Sequence, residues 1–360
     1  MKTSPGTWRS ETWLLIFTII LSLLGVLFVF EASVAEAYSQ FGNQFYFARQ
    51  QLMWLGVGMM GLAVGMHVPV KFWKFIAPWA YGFGILCMLL VFVPHIGVEV
   101  NGARRWLQLP GFRFQPVEIV KFSMILFFAS WMEKHQKLGP FLFLTLIPVG
   151  LLFLQPDMGS ALIVVMIAFG LYFLAGAPLK TFAWTGVAGV AFLLLMIVIS
   201  PYRLRRLTSY FNPESDPLGA SFHIRQIVIA LGNGGIFGQG IGKSRQKFNY
   251  IPEASTDSIF AIIAEEIGYV GSLGIFTLFL LFFLSLYRVI KRLPARKYEY
   301  LLVSGIFLWL AAQCVLNLSA IVALVPLTGI PLPFFSYGGT ALVMVLSITG
   351  IAIGIGRRTK

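Results

Sequence analysis

The sequence predicts an all-α, polytopic membrane protein with about ten transmembrane helices. Of its 360 residues, 58% are hydrophobic and 11% are charged, whereas a typical soluble domain is roughly 25% charged. The apolar residues also fall into runs close to the ~20 residues that a helix needs to cross a bilayer. A soluble fold of this size could not cover so much apolar surface. We therefore expect one integral membrane domain over residues 1–360.

The apolar runs mark the candidate spans in chain order. They cover residues 13–30, 47–66, 75–93, 117–132, 141–154, 158–175, 182–199, 258–286, 300–325 and 341–355. Glu118 and Lys121 interrupt the fourth run, and the fifth is short. We count both as spans, because an even number of spans places both basic termini on the same side of the membrane. Small residues at Gly61 and Gly65, and at Gly350 and Gly354, favour close helix contacts.

Basic residues predict the orientation. With a cytoplasmic N-terminus, more than half of the 27 Lys and Arg residues fall in cytoplasmic tails and short loops, as the positive-inside rule expects. The C-terminus is then also cytoplasmic. The outer face receives the loop 94–116, the turn after residue 154, the segment 326–339 and a long loop 200–257, the largest extramembrane segment. The net charge of +13 does not indicate a nucleic-acid partner, because the basic residues lie between apolar runs rather than on one face.

Asp257 is the leading candidate for a catalytic carboxylate. It ends the basic long loop and opens the eighth span. A helix N-terminus and nearby cations can hold a carboxylate in place, which suits a general base. The competing interpretation is a first-turn or capping acid without a catalytic role.

Other acids also lie at or inside apolar spans, where ionisable groups are costly and are functional candidates by default. Glu118 and Lys121 share one helix face at i,i+3 spacing, which favours a structural pair. Asp157 follows Gln155-Pro156 and is either a helix cap or part of a site. Glu265 and Glu266 point about 100° apart on a helix and cannot form a close carboxylate dyad.

The outer segments are unusually basic. Such clusters suit phosphate or pyrophosphate recognition, although a solvated loop that meets anionic headgroups has the same composition. Four spans would also present their N-termini to this face, and helix N-termini favour anions. The cations are Arg104, Arg105, Arg203, Arg205, Arg206, Arg225, Lys243, Arg245 and Lys247, with Trp106 beside the first pair.

Two common kinds of site are not indicated. Gly242-Lys243-Ser244 lacks the glycine that a P-loop requires at position 237, where Phe237 stands. The four histidines are scattered, and the two cysteines, Cys87 and Cys314, lie inside apolar runs. Neither set has metal-ligand spacing.

Several separated motifs resemble the shape, elongation, division and sporulation family of cell-wall polymerases, which includes FtsW, RodA and SpoVE. They occur in family order and cover nearly the whole chain. The stretch from Phe211 to Lys247 is most similar to the division branch, FtsW. The motifs are Asn101-Gly-Ala-Arg-Arg-Trp106, Gln115-Pro-Val-Glu118 with Lys121, Gln155-Pro-Asp157, Tyr250-Ile-Pro-Glu-Ala-Ser-Thr-Asp257, Glu265-Glu-Ile-Gly268 and Leu332-Pro-Phe-Phe-Ser-Tyr-Gly-Gly339.

The resemblance implies a peptidoglycan glycosyltransferase of the bacterial cytoplasmic membrane that polymerises lipid II in cell division or cell-shape control. Asp257 would deprotonate the acceptor hydroxyl, and undecaprenyl pyrophosphate would leave. Glu118, Lys121 and Asp157 are substrate-binding candidates, as are Arg104, Arg105, Trp106, Arg206, Lys243, Arg245 and Lys247. Ser255 departs from the family, which commonly has histidine there.

The resemblance further implies a class B penicillin-binding protein as partner, together with other proteins of the division or elongation machinery. A divalent cation, Mg²⁺ or Mn²⁺, is a possible cofactor. Two other functions remain open at this point. A lipid II flippase would expose anion-binding groups to both leaflets, whereas the candidates here concentrate outside. A noncatalytic scaffold would tolerate Asp257→Asn.

Overall fold

The structure, a computed structural model, describes residues 10–100, 102–109, 112–199, 204, 208, 210–211, 220–248, 251–295 and 297–359. We number the main helices and strands of this part in chain order. The helices are α1 (Ser10–Phe41), α2 (Tyr46–His67), α3 (Val70–Leu90), α4 (Pro116–Met132), α5 (Leu138–Leu154), α6 (Met158–Leu174), α7 (Leu179–Ile199), α8 (Ala220–Gly234), α9 (Ile259–Ile290), α10 (Tyr298–Ile321) and α11 (Gly339–Arg358).

Every predicted apolar run coincides with a helix. Among the described residues, the helices α1, α3, α9, α10 and α11 are long and apolar enough to cross a membrane, and α5 and α6 are shorter apolar helices. One large apolar core connects the helices of the bundle. On the outside of the bundle many large apolar side chains are exposed, such as Trp79, Phe143 and Tyr269. Such side chains suit contact with lipid rather than with water.

The loop 94–116 contains a small sheet that the prediction of an all-α fold omitted. Strands β1 (Gly97–Val100), β2 (Ala103–Leu109) and β3 (Phe112–Phe114) form an antiparallel sheet in the order β1-β2-β3. Val100 pairs with Ala103 across a two-residue connection. The sequence there is Asn-Gly, which is typical of tight hairpins because they need positive φ, and Gly102 has φ of 73°.

Helix α9 is broken at Gly268, about a third of the way along its length. Gly268 has φ of 67°, which glycine adopts at little cost. The break exchanges backbone hydrogen bonds with the glycine-rich segment after α8: Gln239 N donates to Glu265 O at 3.0 Å, and Tyr269 N donates to Gly235 O at 2.9 Å. Irregular backbone is tolerated at membrane depth when protein satisfies its polar groups in this way.

The segment 322–338 folds back into the bundle between α10 and α11. Phe334 and Phe335 are buried, and Phe335 stacks on Phe28 with ring centroids 6.0 Å apart. Gly25 on α1 gives the segment room, because a Cβ there would lie 2.0 Å from the Phe334 carbonyl oxygen. The segment therefore forms part of the core, and its residues 328–331 border the site described next.

The predicted glycine contacts are confirmed between α2 and α11. A Cβ on Gly65 would lie 2.5 Å from the Ser347 carbonyl oxygen, and one on Gly350 would lie 2.2 Å from Leu62 O. The two backbones thus approach more closely than any larger side chain allows.

Candidate active site

The residues 328–331 are bound by polar side chains of α10 and pack against the start of α6. We call this segment the site loop. Asn317 on α10 donates to Ile330 O at 2.8 Å, and Gln313, one turn earlier, donates to Pro331 O at 2.8 Å. Gly159 at the start of α6 packs against Thr328, since a Cβ on Gly159 would lie 2.5 Å from Thr328 O.

Asp257 lies beside the site loop at the entrance to α9. Asn317 Nδ2 donates to the Asp257 carbonyl oxygen at 2.7 Å. The carboxylate Oδ1 accepts a hydrogen bond from Ser258 Oγ at 3.4 Å. The other oxygen, Oδ2, faces Gly329, where a Cβ would lie 3.8 Å away. The Asp257 residue is half-buried, so protein contacts hold it while part of its surface stays open.

Asp157 caps α6, as one of the two sequence interpretations expected. Its Oδ1 accepts from Ser160 N at 3.0 Å and its Oδ2 accepts from Ser160 Oγ at 2.8 Å. The side chain also compensates the positive end of the helix. A substrate contact of Asp157 stays a prediction.

Glu118 and Lys121 form a buried ion pair on α4. Lys121 Nζ lies 2.6 Å from Glu118 Oε1, and both side chains are 2% exposed. The ammonium also faces Gln313 Oε1 at 3.5 Å and lies 5.1 Å from the ring centroid of Trp309. Because Gln313 binds the site loop, the pair supports the loop from inside the bundle. Direct contact of the pair with substrate stays a prediction.

The two arginines of β2 have different surroundings. Arg105 Nε donates to Gln155 O at 3.1 Å, and its Nη2 donates to Pro156 O, so this side chain braces the turn before α6. Arg104 is exposed and pairs with Glu99 at 3.3 Å across the hairpin. Trp106, next along the strand, is half-buried. Of the two cations, Arg104 is the more accessible to an anion.

The cations after α8 also divide into two kinds. Lys243 and Arg245 are exposed, and among the described residues neither has a carboxylate within 4 Å. Lys247 is buried, with its Nζ 3.2 Å from Glu266 Oε1 and 3.4 Å from Glu31 Oε2. The structure gives Lys247 a role inside the protein, and its predicted contact with substrate stays untested. Arg206, the remaining candidate, lies outside the described residues.

Glu265 and Glu266 fasten the segment 242–247 to α9. Glu265 Oε2 accepts from Ser244 Oγ, and its Oε1 accepts from Asn233 of α8 at 3.3 Å. Glu266 Oε1 accepts from Ser244 N at 3.4 Å. Both carboxylates contact Ser244, one through its hydroxyl and the other through its backbone N–H, and the expectation that they do not act as a close dyad stays a prediction.

Asn317 and Gln313 were not predicted from the sequence. Both are polar side chains inside an apolar span, which is the pattern that marks functional positions in membrane helices. The prediction rested on ionisable groups, whereas both of these side chains are uncharged. Tyr337, another polar anchor, donates its hydroxyl to Gln50 Oε1 at 2.8 Å. Burial raises the pKa of Tyr337 to about 12, so this donor stays protonated at neutral pH.

The described part of the chain contains no group of three or more His, Cys, Asp or Glu side chains that could hold a metal ion. The protein residues described here therefore do not fit a closed metal site. Mg²⁺ commonly relies on substrate phosphates for much of its coordination, so a divalent cation that arrives with a pyrophosphate stays a prediction, and we assign it no ligand.

The bundle and its polar face define a multi-pass membrane protein with a carboxylate held at a helix entrance. The family model described as "Cell cycle protein" (FtsW/RodA/SpoVE) matches residues 11–360. The chain belongs to this family of shape, elongation, division and sporulation proteins.

Curated relatives match along the full length. The probable peptidoglycan glycosyltransferase FtsW of Coxiella burnetii is 37% identical, with 100% of this chain and 99% of the relative covered. The stage V sporulation protein E of Bacillus subtilis is 35% identical with the same coverage.

Solved structures share the fold. One is a peptidoglycan synthase complex that coordinates polymerization and crosslinking; its matching chain has a TM-score of 0.78 and 30% identity, with 96% of this chain and 97% of that chain covered. The rod shape determining protein RodA of Thermus thermophilus has a TM-score of 0.70 and 28% identity, with 96% of both chains covered. The predicted membrane fold is thereby confirmed.

Proposed function

We propose that the protein is a peptidoglycan glycosyltransferase that polymerises lipid II into glycan strands, with Asp257 as its general base. The observation that carries this proposal is the placement of Asp257. Its backbone is bound by Asn317, its Oδ1 by Ser258, and its Oδ2 faces a glycine. A carboxylate held in this way suits proton abstraction from a positioned hydroxyl.

The reaction needs one base and one leaving group. The acceptor sugar 4-hydroxyl gives its proton to the Asp257 carboxylate, and its oxygen forms a bond to the anomeric carbon of the donor. The bond from that carbon to the pyrophosphate oxygen breaks, and undecaprenyl pyrophosphate leaves with the bonding electron pair. Asp257 then releases the proton to solvent, which regenerates the base.

The leaving pyrophosphate needs positive charge beside it. Arg104, Lys243 and Arg245 are exposed cations available to an anion, and arginine can bind phosphate oxygens through two parallel hydrogen bonds. The starts of α4 and α11 add a second source of positive potential, because helix N-termini attract anions. These two helix starts meet, with Gln115 N donating to Thr340 Oγ1 at 3.4 Å.

The proposed setting is the bacterial cytoplasmic membrane, with both termini inside and the site on the outer face. The basic tails and short loops support this orientation through the positive-inside rule. The proposed partner is a class B penicillin-binding protein that cross-links the new strands. Support comes from the structural similarity to a chain of a peptidoglycan synthase complex in which polymerization and crosslinking are coordinated.

The test is polymerisation of purified lipid II by the full chain in complex with its cognate penicillin-binding protein. We expect glycan strands from the native complex and none from a folded Asp257→Asn complex, because the amide retains the shape but cannot accept the proton. The proposal fails if the native complex makes no strands, and a movement of lipid II across liposome membranes by the same protein would then favour the flippase. Equal strand synthesis by both complexes would remove Asp257 as the base.

A further inference from the structure

The structure brings a histidine of the long outer loop to the residue beside the proposed base. His223 lies on α8, and its Nε2 is 2.8 Å from Ser258 Oγ. Ser258 Oγ is in turn 3.4 Å from Asp257 Oδ1. The Ser258 side chain is fully buried, and His223 is half-buried. The three side chains form a chain of polar contacts that ends on the carboxylate.

The direction of the hydrogen bonds follows from the number of protons. The Ser258 hydroxyl has one proton; with that proton donated to Asp257 Oδ1, the hydroxyl oxygen accepts from His223 in the tautomer that carries its proton on Nε2. The link from Ser258 to Asp257 is longer than the usual O–H···O hydrogen bond of about 2.5–3.0 Å. Hydrogen bonds at catalytic groups often tighten only when the substrate is bound.

The packing of two helices sets the position of His223. Helix α8 lies along α9, and the pair is attached at two points. His223 contacts Ser258 near the start of α9, and Asn233 donates to Glu265 Oε1 at 3.3 Å further along it. Two attachments fix both the register and the rotation of α8, so the imidazole is held toward Ser258.

We infer that His223 is a positioning residue for Asp257, acting through Ser258. By donating to the Ser258 oxygen, His223 fixes the rotamer of the hydroxyl whose proton points to Asp257 Oδ1. This hydrogen-bond chain holds the carboxylate in one orientation toward the acceptor hydroxyl. The inference rests on the proposed function of Asp257 and adds to it a contact between α8 and the site.

The test compares strand synthesis by full-chain complexes with the cognate penicillin-binding protein. His223→Leu removes the donor, and Ser258→Ala removes the link. We expect each to lower kcat by at least about tenfold, because a small misplacement of a catalytic group has a large effect on rate, while KM for lipid II stays within about twofold. His223→Gln restores activity to within about threefold of native, since its amide N–H can replace the Nε2 donor.

A double variant and a matched control separate positioning from general damage. The His223→Leu/Ser258→Ala complex should be no slower than the Ser258→Ala complex, because both changes interrupt one chain of contacts. His135→Leu is the control, since His135 is exposed and contacts the Trp131 carbonyl oxygen at 3.1 Å on another part of the bundle. It should retain native activity.

Three outcomes would overturn the inference. They are native kcat in a His223→Leu complex, a loss in His223→Gln as large as in His223→Leu, and multiplied losses in the double variant. A thermal melting curve identifies any variant that unfolds. In that case the activity of the His223→Gln complex, compared with that of the native complex, decides whether His223 has a positioning role. A native complex that makes no strands would overturn the proposed function together with this inference, whereas an active native complex isolates the role of His223.

Discussion

Asn317 joins the proposed base to the site loop through one amide nitrogen. Its Nδ2 donates to Asp257 O at 2.7 Å and to Ile330 O at 2.8 Å. The Asn317 residue is 2% exposed, so water does not readily replace either hydrogen bond. The entrance of α9 and the site loop therefore keep their relative position through α10.

Substitution of Asn317 should impair both stability and activity. Asn317→Leu removes both N–H donors and leaves the buried Ile330 carbonyl and the part-buried Asp257 carbonyl without this partner, and an unsatisfied buried carbonyl costs about 1–3 kcal/mol. We expect a lower melting temperature in detergent and a loss of strand synthesis that exceeds the loss of folded protein. Asn43→Leu is a suitable control, because Asn43 is half-exposed in the turn before α2. Native activity in a folded Asn317→Leu complex would contradict the positioning role.

Removal of only one charge of the Glu118–Lys121 pair should reduce the stability of the protein. Lys121→Met leaves the Glu118 carboxylate buried without a counter-charge, and such changes destabilise proteins by about 3–5 kcal/mol. The Glu118→Gln/Lys121→Met double variant removes both charges and should recover most of that stability. Thermal unfolding of the purified variants measures the difference. If the double variant were no more stable than Lys121→Met, the pair would not be the source of the loss.

Variants of Arg105 and Arg104 should distinguish a residue that supports the structure from one that binds substrate. Arg105→Ala removes the two donors that brace Gln155 and Pro156, so we expect a loss of about 1–3 kcal/mol in stability. Arg104→Ala breaks an exposed pair with Glu99, which contributes about 0–1 kcal/mol. It should leave the melting temperature nearly unchanged and raise KM for lipid II. A reversed pattern would show that the two roles are assigned to the wrong arginines.

The lysines after α8 should behave differently from each other. Lys247→Met leaves the buried Glu266 carboxylate without its cation, and we expect a loss of about 3–5 kcal/mol. Lys243→Gln changes an exposed side chain, so stability should change by no more than about 0.5 kcal/mol while KM rises. Melting curves and initial rates on the same preparations test both expectations. Equal melting temperatures would exclude a structural role for Lys247.

The break in α9 should require glycine. Gly268→Ala places a side chain at φ of 67°, and its Cβ would lie 2.2 Å from Gly238 N. We expect a marked loss of folded protein. Gly274→Ala is the matched control, because Gly274 lies in the same helix with nothing within 4 Å of an added Cβ. There the change should be neutral or stabilising by up to about 1 kcal/mol. Similar yields of both variants would contradict the proposed close approach at the break.

The sequence by itself determined the helices and pointed to the leading candidate for the site. Ten apolar runs became ten helices, because burial in lipid forces backbone hydrogen bonds to be made within each segment. Asp257 stood out because a carboxylate at the start of an apolar span is rare and costly. The Asn-Gly turn of the hairpin was not predicted from the sequence, although two-residue turns have local sequence requirements.

Only the tertiary structure decided which polar groups meet. Lys247 and Arg245 are two residues apart, yet one is buried against Glu31 and Glu266 and the other is exposed. Asn317 reaches Asp257 across a separation of 60 residues. Such pairings depend on how helices rotate and pack against one another, and no local pattern encodes that rotation. The sequence therefore identified the chemistry available, and the packing of α8, α9 and α10 determined where it is placed.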